Sequence, residues 1–287
     1  LLMFHNDGNF EYCDTSLKSC KETNLTIEDE INLVNGNYFI DEKRVYFVGS
    51  SIESIKNNIK ENEIFSNAIE VSGFTIFSNN KIEYKFNNKN LELFAKSDSR
   101  YLIKNSEIFD LKITLIYKHD KNIVSDNEAL RYDELFLTGC LNIYDSSLRN
   151  VSITISNTQC EDSINLVRTQ GSVDELFITN ATYDALDVDF SNLVLKSVKV
   201  NSALNDCIDV SKGSYLFNYI KAENCGDKGF STGEGSSVEI KNLIVDKSTI
   251  GIAVKDSSNV YIDELEVSNS TFCTSLYRKK QEFGPSR

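Results

Sequence analysis

Tryptophan is absent from this 287-residue chain, proline occurs once (Pro285) and histidine twice. So little proline leaves backbone donors in place almost everywhere, which suits a long stack of short strands. His5 and His119 lie far apart, and neither has a Cys/His cluster beside it, so a zinc site lacks its ligand set. No run approaches the roughly 20 apolar residues that a membrane-crossing helix needs. Leu1-Leu2-Met3-Phe4 is too short for a signal-peptide core and lacks a basic flank. Basic residues are also in deficit. Lys+Arg number 30 against 43 Asp+Glu, and a net charge of -13 argues against nucleic acid as the main partner.

What is abundant is Asn, Ser, Lys and the β-branched pair Ile and Val, a composition fitted to strands and polar turns. Seven cysteines stand at 13, 20, 140, 160, 207, 225 and 273, an odd number that leaves at least one thiol free or paired between chains. Cys13 and Cys20 are close enough to close a small loop. The others fall in or beside apolar runs, where cysteine reads as a small hydrophobe. The redox compartment stays open, and four Asn-x-Ser/Thr sequons (Asn24, Asn150, Asn180, Asn269) carry little weight in so Asn-rich a chain.

An internal period organises the second half. Apolar residues recur every 22 positions at Ile164, Leu186, Ile208, Phe230 and Ile252. Two positions on, the interval gives Leu166, Val188, Val210, Thr232 and Val254. A second run repeats as Val194, Leu216, Val238 and Val260, and a weaker third as Leu176, Val198, Ile220, Leu243 and Leu265. Polar residues alternate with the apolar ones, the period-2 signature of strands, and Ser/Asn/Gly/Asp groups separate the runs. Three short strands cannot bury a face alone, but stacked coils can. The expectation is an all-β, right-handed parallel β-helix, a single-stranded solenoid of 22-residue coils. It runs over residues 66–287 and is most regular from 160. The Leu/Asn consensus of leucine-rich repeats is missing.

Residues 64–118 read as strands with uneven turns that continue the stack downward. Residues 1–65 read as an irregular N-terminal cap, with a helix over 51–62 that Ser51 would cap and Ile52, Ile55 and Ile59 would line.

The outward positions of the first strand form columns. One runs Asn165, Asp187, Asp209, Ser231, Ala253, and the next Val167, Asp189, Ser211, Gly233, Lys255. The turn column runs Arg168, Phe190, Lys212, Glu234, Asp256, Arg278, with Lys279 and Lys280 beyond it. Its mixed signs point to mutual ion pairing. Asp187, Asp189 and Asp209 crowd together, and bound Ca²⁺, neighbouring lysines or solvent can each answer their repulsion. Two coil spacings place Lys255 about 10 Å from Asp209, a reasonable distance for an acid/base group beside a metal site though not for direct coordination. Asp184, Asp206 and Asp227 at strand starts read as acceptors for turn amides.

The segments Asp184-Ala185-Leu186-Asp187-Val188-Asp189-Phe190-Ser191, Asn205-Asp206-Cys207-Ile208-Asp209-Val210-Ser211 and Gly226-Asp227-Lys228-Gly229-Phe230-Ser231 come in order. Gly233-Glu234, Ile250-Gly251-Ile252-Ala253-Val254-Lys255-Asp256-Ser257-Ser258 and Tyr277-Arg278-Lys279-Lys280 follow. Over about 160–285 the chain resembles the pectate-lyase-like right-handed β-helix proteins of bacteria, some of which are joined to CotH-type kinase-like modules. The wider resemblance implies a Ca²⁺-assisted polysaccharide lyase acting on a uronate-containing polymer. Asp187, Asp189 and Asp209 would hold the metal, Lys255 would be the base and Arg278 would assist. Lys279, Lys280 and Glu234 are candidate substrate-binding residues. A metal-independent hydrolase using paired Asp, as in polygalacturonase-like β-helices, is the alternative chemistry. A non-catalytic surface or capsule-associated scaffold that binds glycan or a partner is the alternative role. An extracellular or cell-surface setting and membership of a larger multidomain chain complete the expectations.

Overall fold

The structure is a computed structural model that describes residues 65–117 and 137–287 throughout and, before them, five short strands. The chain divides into two compact units, Leu1–Ile64 with Asp133–Phe136 and Phe65–Tyr132 with Leu137–Arg287. In the first unit β1 (Leu2–Phe4), β2 (Phe10–Cys13) and β3 (Cys20–Thr23) form an antiparallel sheet, and β4 (Phe39–Asp41) pairs with β5 (Arg44–Tyr46). The β2–β3 register pairs the Cys13 position with that of Cys20. Their side chains, like the helix expected over 51–62, lie outside the described residues.

The second unit opens with two hairpins. β6 (Asn67–Val71) and β7 (Phe74–Ser78) turn at Ser72-Gly73, and β8 (Glu83–Asn87) and β9 (Asn90–Ala95) turn at Asn88-Lys89. All four turn residues have positive φ, the two-residue hairpin geometry whose twist matches its strands. This corrects the expectation of uneven coils here: turns this tight reverse the chain.

Coils follow. β10 (Tyr101–Lys104) leads to β11 (Glu107–Tyr117), β12 (Gly139–Tyr144) to β13 (Ser147–Thr158), and β14 (Asp162–Val167) to β15 (Gln170–Ala181). β16 (Asp184–Asp189) leads to β17 (Asn192–Leu195) and β18 (Val198–Ala203), β19 (Ile208–Ser211) to β20 (Ser214–Cys225), and β21 (Lys228–Gly233) to β22 (Ser237–Asp246). β23 (Ile250–Lys255), β24 (Asn259–Ser268) and β25 (Phe272–Tyr277) close the stack. The short first strands stack in one sheet and the longer second strands in another, ten strands in each. From β12 onward every ladder is parallel. The fold is an all-β parallel solenoid of about eight coils. The expected second and third runs are continuous in the long strands and separate only as β17 and β18.

The first-strand columns lie where spacing put them. Ile164, Leu186, Ile208, Phe230 and Ile252 are all buried. The second run differs. Leu193 pairs with Tyr215 and Tyr215 with Val238, so Val194 and Leu216 face outward rather than inward. An extra residue at the Gly235-Ser236 turn shifts the count there, and a one-residue slip changes the face of a strand residue.

The corners after β10, β12, β14, β16, β19, β21 and β23 each carry a residue in the left-handed region: Asn105, Asp145, Arg168, Phe190, Lys212, Glu234 and Asp256. One position before each second-sheet strand a hydroxyl recurs, at Ser106, Ser146, Thr169, Ser191, Ser236 and Ser258. Three of them accept the amide of the coil below: Ser106 N donates to Ser146 Oγ at 3.1 Å, Thr169 N to Ser191 Oγ at 2.9 Å and Ser236 N to Ser258 Oγ at 3.2 Å. Gly213 interrupts this series.

The cysteines correct another expectation. Cys140–Cys160 and Cys207–Cys225 are disulfides, each closing a single coil, and Cys273 is a free, exposed thiol. Residues that look like core hydrophobes by neighbourhood are brought together because a coil returns to its starting corner.

Candidate functional site

The ladder places Asn165 beside Asp187, Asp187 beside Asp209, and Asp209 beside Ser231. Asp189 pairs with Ser211 two residues further along, and Ser211 with Gly233. These columns face away from the core, yet Asn165, Ser231, Ala253 and Lys255 are each at most 5% exposed. Asp187, Asp189, Asp209 and Ser211 are half-buried, so the strip is a partly desolvated polar surface on which charge is costly unless paired.

The side chains respond to that cost. Asn165 Nδ2 donates to Asp187 Oδ2 at 3.1 Å, and the Ser211 hydroxyl donates to Asp189 Oδ1. Lys255 Nζ lies 3.4 Å from Asp209 Oδ2. This corrects the 10 Å expected from coil spacing. The lysine stem runs back along the column, over Gly233, where a side chain would stand only 3.6 Å from Lys255 Cε. The lysine stem lying over Gly233 and the Asp209 side chain together bridge the two coil spacings that backbone counting leaves open.

Burial, then the charges of Asp189, Asp162, Asp209 and Asp184, push the Asp187 carboxyl well above the usual carboxylate range. Burial likewise raises Asp189 to about 6, with the Ser211 hydrogen bond opposing it. Asp184 rises to about 7 through burial and the charge of Asp206. A second carboxylate column, Asp162, Asp184 and Asp206, thus runs beside the first and ends on Lys228, whose ammonium is 3.1 Å from Asp206. Asp184 Oδ1 accepts from Asp206 N at 2.8 Å, and Asp206 Oδ1 from Lys228 N at 3.1 Å, so these two brace turn amides.

The turn column pairs internally at its far end. Lys280 Nζ engages Glu234, and the amides of Lys279 and Lys280 donate to Asp256 Oδ1 at 2.6 and 2.8 Å. Tyr277 is the ladder partner of Lys255, and Arg278 follows it into a pocket shared with the C-terminal tail. The structure thus brings Asp187, Asp189, Asp209 and Lys255 together, whereas Glu234, Lys279 and Lys280 form a separate group that fastens the tail. Sequence reading placed Asn165, Ser211 and Ser231 in the columns without assigning them roles. Their signal was register alone.

Oxygen donors are the chemistry calcium takes. As placed, however, these residues do not fit a calcium cage. Lys255 holds Asp209, Asn165 and Ser211 hold the other two carboxylates, and among the described residues no three Asp, Glu, His or Cys side chains converge as metal ligands do. Three polar oxygens of the strip, Asn165 Oδ1, Asp209 Oδ1 and Ser231 Oγ, are buried without a hydrogen-bond partner. No helix of the described residues is long and apolar enough to cross a membrane.

The fold and strip define a parallel β-solenoid with a desolvated row of carboxyl groups on one outward sheet face. Comparison with family models, curated proteins and solved structures gave no match.

Proposed function

We propose that this solenoid hydrolyses an acidic, uronate-containing polysaccharide, with carboxyl groups on the first-sheet strip serving as acid and base for the addition of water. One observation carries the reading: neighbouring aspartates have different partners. Burial and neighbouring charge favour the protonated form of Asp187, while Asp209 is bound to the Lys255 ammonium. A protonated acid beside an ionised carboxylate is the pair glycosidic cleavage uses. Asp187 would protonate the leaving glycosidic oxygen while Asp209 takes a proton from the water that adds to the anomeric carbon, so that the C–O bond breaks and a new reducing end forms; Asp189, near 6, would exchange protons around neutrality. Lys255 would position Asp209 through their ion pair.

The pectate-lyase-like resemblance of residues 160–285 supports a polysaccharide as substrate. β-Elimination, favoured on sequence, asks Lys255 to be a free base. Its ion pair with Asp209 turns the preference to hydrolysis. Two disulfides support an oxidising setting, at the cell surface or outside it.

The test offers uronic-acid polymers and neutral polymers, with and without Ca²⁺, and follows new reducing ends and ultraviolet absorbance of unsaturated product. Reducing ends without unsaturation, lost by about 10²-fold or more in Asp187→Asn and Asp209→Asn, support the reading. Unsaturated product that requires Ca²⁺ replaces it with a lyase. Affinity for polymer with no cleavage replaces it with a binding scaffold.

A further inference from the structure

We infer that the pocket at the end of the first sheet binds one carboxylate-bearing sugar ring, with Arg278 receiving the carboxylate. The pocket has a volume of about 260 Å³ and is lined by Leu276, Tyr277, Arg278, Pro285 and Ser286. It is built by the tail folding back along the preceding corner. Ser257 N donates to Gly284 O at 3.0 Å and Gly284 N to Ser257 Oγ at 2.6 Å. Arg287 N donates to Ser258 O and Val260 N to Arg287 O, each at 2.9 Å. These bonds fix Pro285 and Ser286 as one wall, and the end of β25 supplies the other.

Two unmet groups line it. Arg278 has no carboxylate partner among the described residues, whereas Lys228, Lys255 and Lys280 each hold one. The Ser286 hydroxyl is closed off from solvent and has no hydrogen-bond partner. A guanidinium is a planar, two-point donor shaped for a carboxylate, and a buried hydroxyl without a partner is a group awaiting one. Leu276, Tyr277 and Pro285 supply the apolar wall that the carbon face of a sugar ring meets. The volume is just under the roughly 300 Å³ where drug-sized sites begin, so the pocket suits one ring rather than a chain of them.

Tyr277 is the ladder neighbour of Lys255, so the pocket continues the strip by one coil. The choice of a sugar acid over another carboxylate rests on the function proposed above. It deepens that function by giving the uronate a place to dock.

Equilibrium titration of the intact protein with glucuronate and galacturonate, and with glucose and galactose as neutral counterparts, tests this. The acids are expected to bind in the millimolar range, with neutral sugars about tenfold weaker or worse. Arg278→Gln should lose about tenfold, and Arg278→Lys should recover part of it, because an ammonium donates as a point charge. The melting temperature of each variant reports its folding, and Arg278 is exposed, so no loss of fold is expected. Equal binding of acids and neutral sugars, acid binding unchanged in Arg278→Gln, or no acid binding well above about 10 mM each overturn the assignment. Monosaccharide binding needs no bond cleavage. Acid binding through Arg278 with no turnover of any polymer sinks the proposed reaction and leaves the pocket standing. Polymer cleavage indifferent to Arg278→Gln sinks the pocket alone.

Discussion

Lys255 Nζ and Asp209 Oδ2 are 3.4 Å apart although 46 residues separate them in the chain. The ammonium is almost wholly buried and the carboxylate mostly so, which makes each the other's compensation for lost water. Lys255→Met is expected to lower the unfolding free energy by about 3 kcal/mol, because it strands Asp209 among the other carboxyls. Asp209→Asn in that background should restore part of the loss, since no uncompensated charge remains. Urea unfolding of both single variants and the double variant measures the coupling, and strictly additive losses would show that the pair is not a pair.

The raised carboxyls make stability depend on pH with a definite sign. Asp184 at about 7 and Asp189 at about 6 hold protons that the unfolded chain releases near 4. The native state therefore binds more protons than the unfolded state across that window, so stability falls as pH rises from about 4 to 7 and levels off above it. The melting temperature should be higher at pH 4.5 than at pH 8. Asp187→Asn should raise it at pH 8 by roughly 3 °C or more and leave it unchanged at pH 4.5, where the wild-type carboxyl already carries its proton. A fall at pH 8 in that variant would contradict the desolvated strip.

How far the chain could be read turns on where its period holds. Ile164 to Ile252 keep a strict 22-residue interval, so their burial and the outward Asp187–Asp209 column were legible. At Gly235-Ser236 one residue is added, and counting through it put Val194 and Leu216 on the wrong face. The Ser72-Gly73 and Asn88-Lys89 turns carried a readable hairpin signal that the strand pattern overshadowed. The reach of Lys255 depends on a side-chain path over Gly233, which spacing between backbones does not encode. The carboxyl shifts depend on burial of an outward face, and nothing in period 2 separates an outward face that is covered from one that is wet.

Each coil disulfide is expected to contribute about 3 kcal/mol, the loop-closure value for rings of this size. The separations are 20 residues for Cys140–Cys160 and 18 for Cys207–Cys225. Replacing both members of either pair by alanine should lower the unfolding free energy by about that amount, with reductant doing the same to the wild type. Cys273 should react with a maleimide in the native, unreduced protein, because it is free and exposed. A melting temperature indifferent to reductant would mean that the four cysteines are only core hydrophobes after all.

Tyr215 substitutes for the hydroxyl that Gly213 lacks. At this corner in other coils Ser146, Ser191 and Ser258 accept the amide of the coil below, but a Cβ at Gly213 would stand 2.2 Å from Ser191 O and 2.5 Å from Tyr215 Oη. The phenol takes over: Ser191 N donates to Tyr215 Oη at 3.4 Å, and Tyr215 Oη lies 2.7 Å from Ser211 O and 3.1 Å from Val188 O. Burial raises the phenol above its ordinary range, so it stays a donor at any ordinary pH. Tyr215→Phe keeps the ring and its packing but strands a buried amide and carbonyl, at an expected cost of about 2 kcal/mol. Ser236→Ala, which removes one corner hydroxyl bonded to Gly233 O, should cost about 1 kcal/mol. Gly213→Ser should not rescue Tyr215→Phe, because its Cβ meets backbone rather than a movable side chain. If the serine did rescue the phenylalanine variant, the corner would be loose enough to accept a regular hydroxyl, and the tyrosine would be a packing residue with an incidental hydrogen bond.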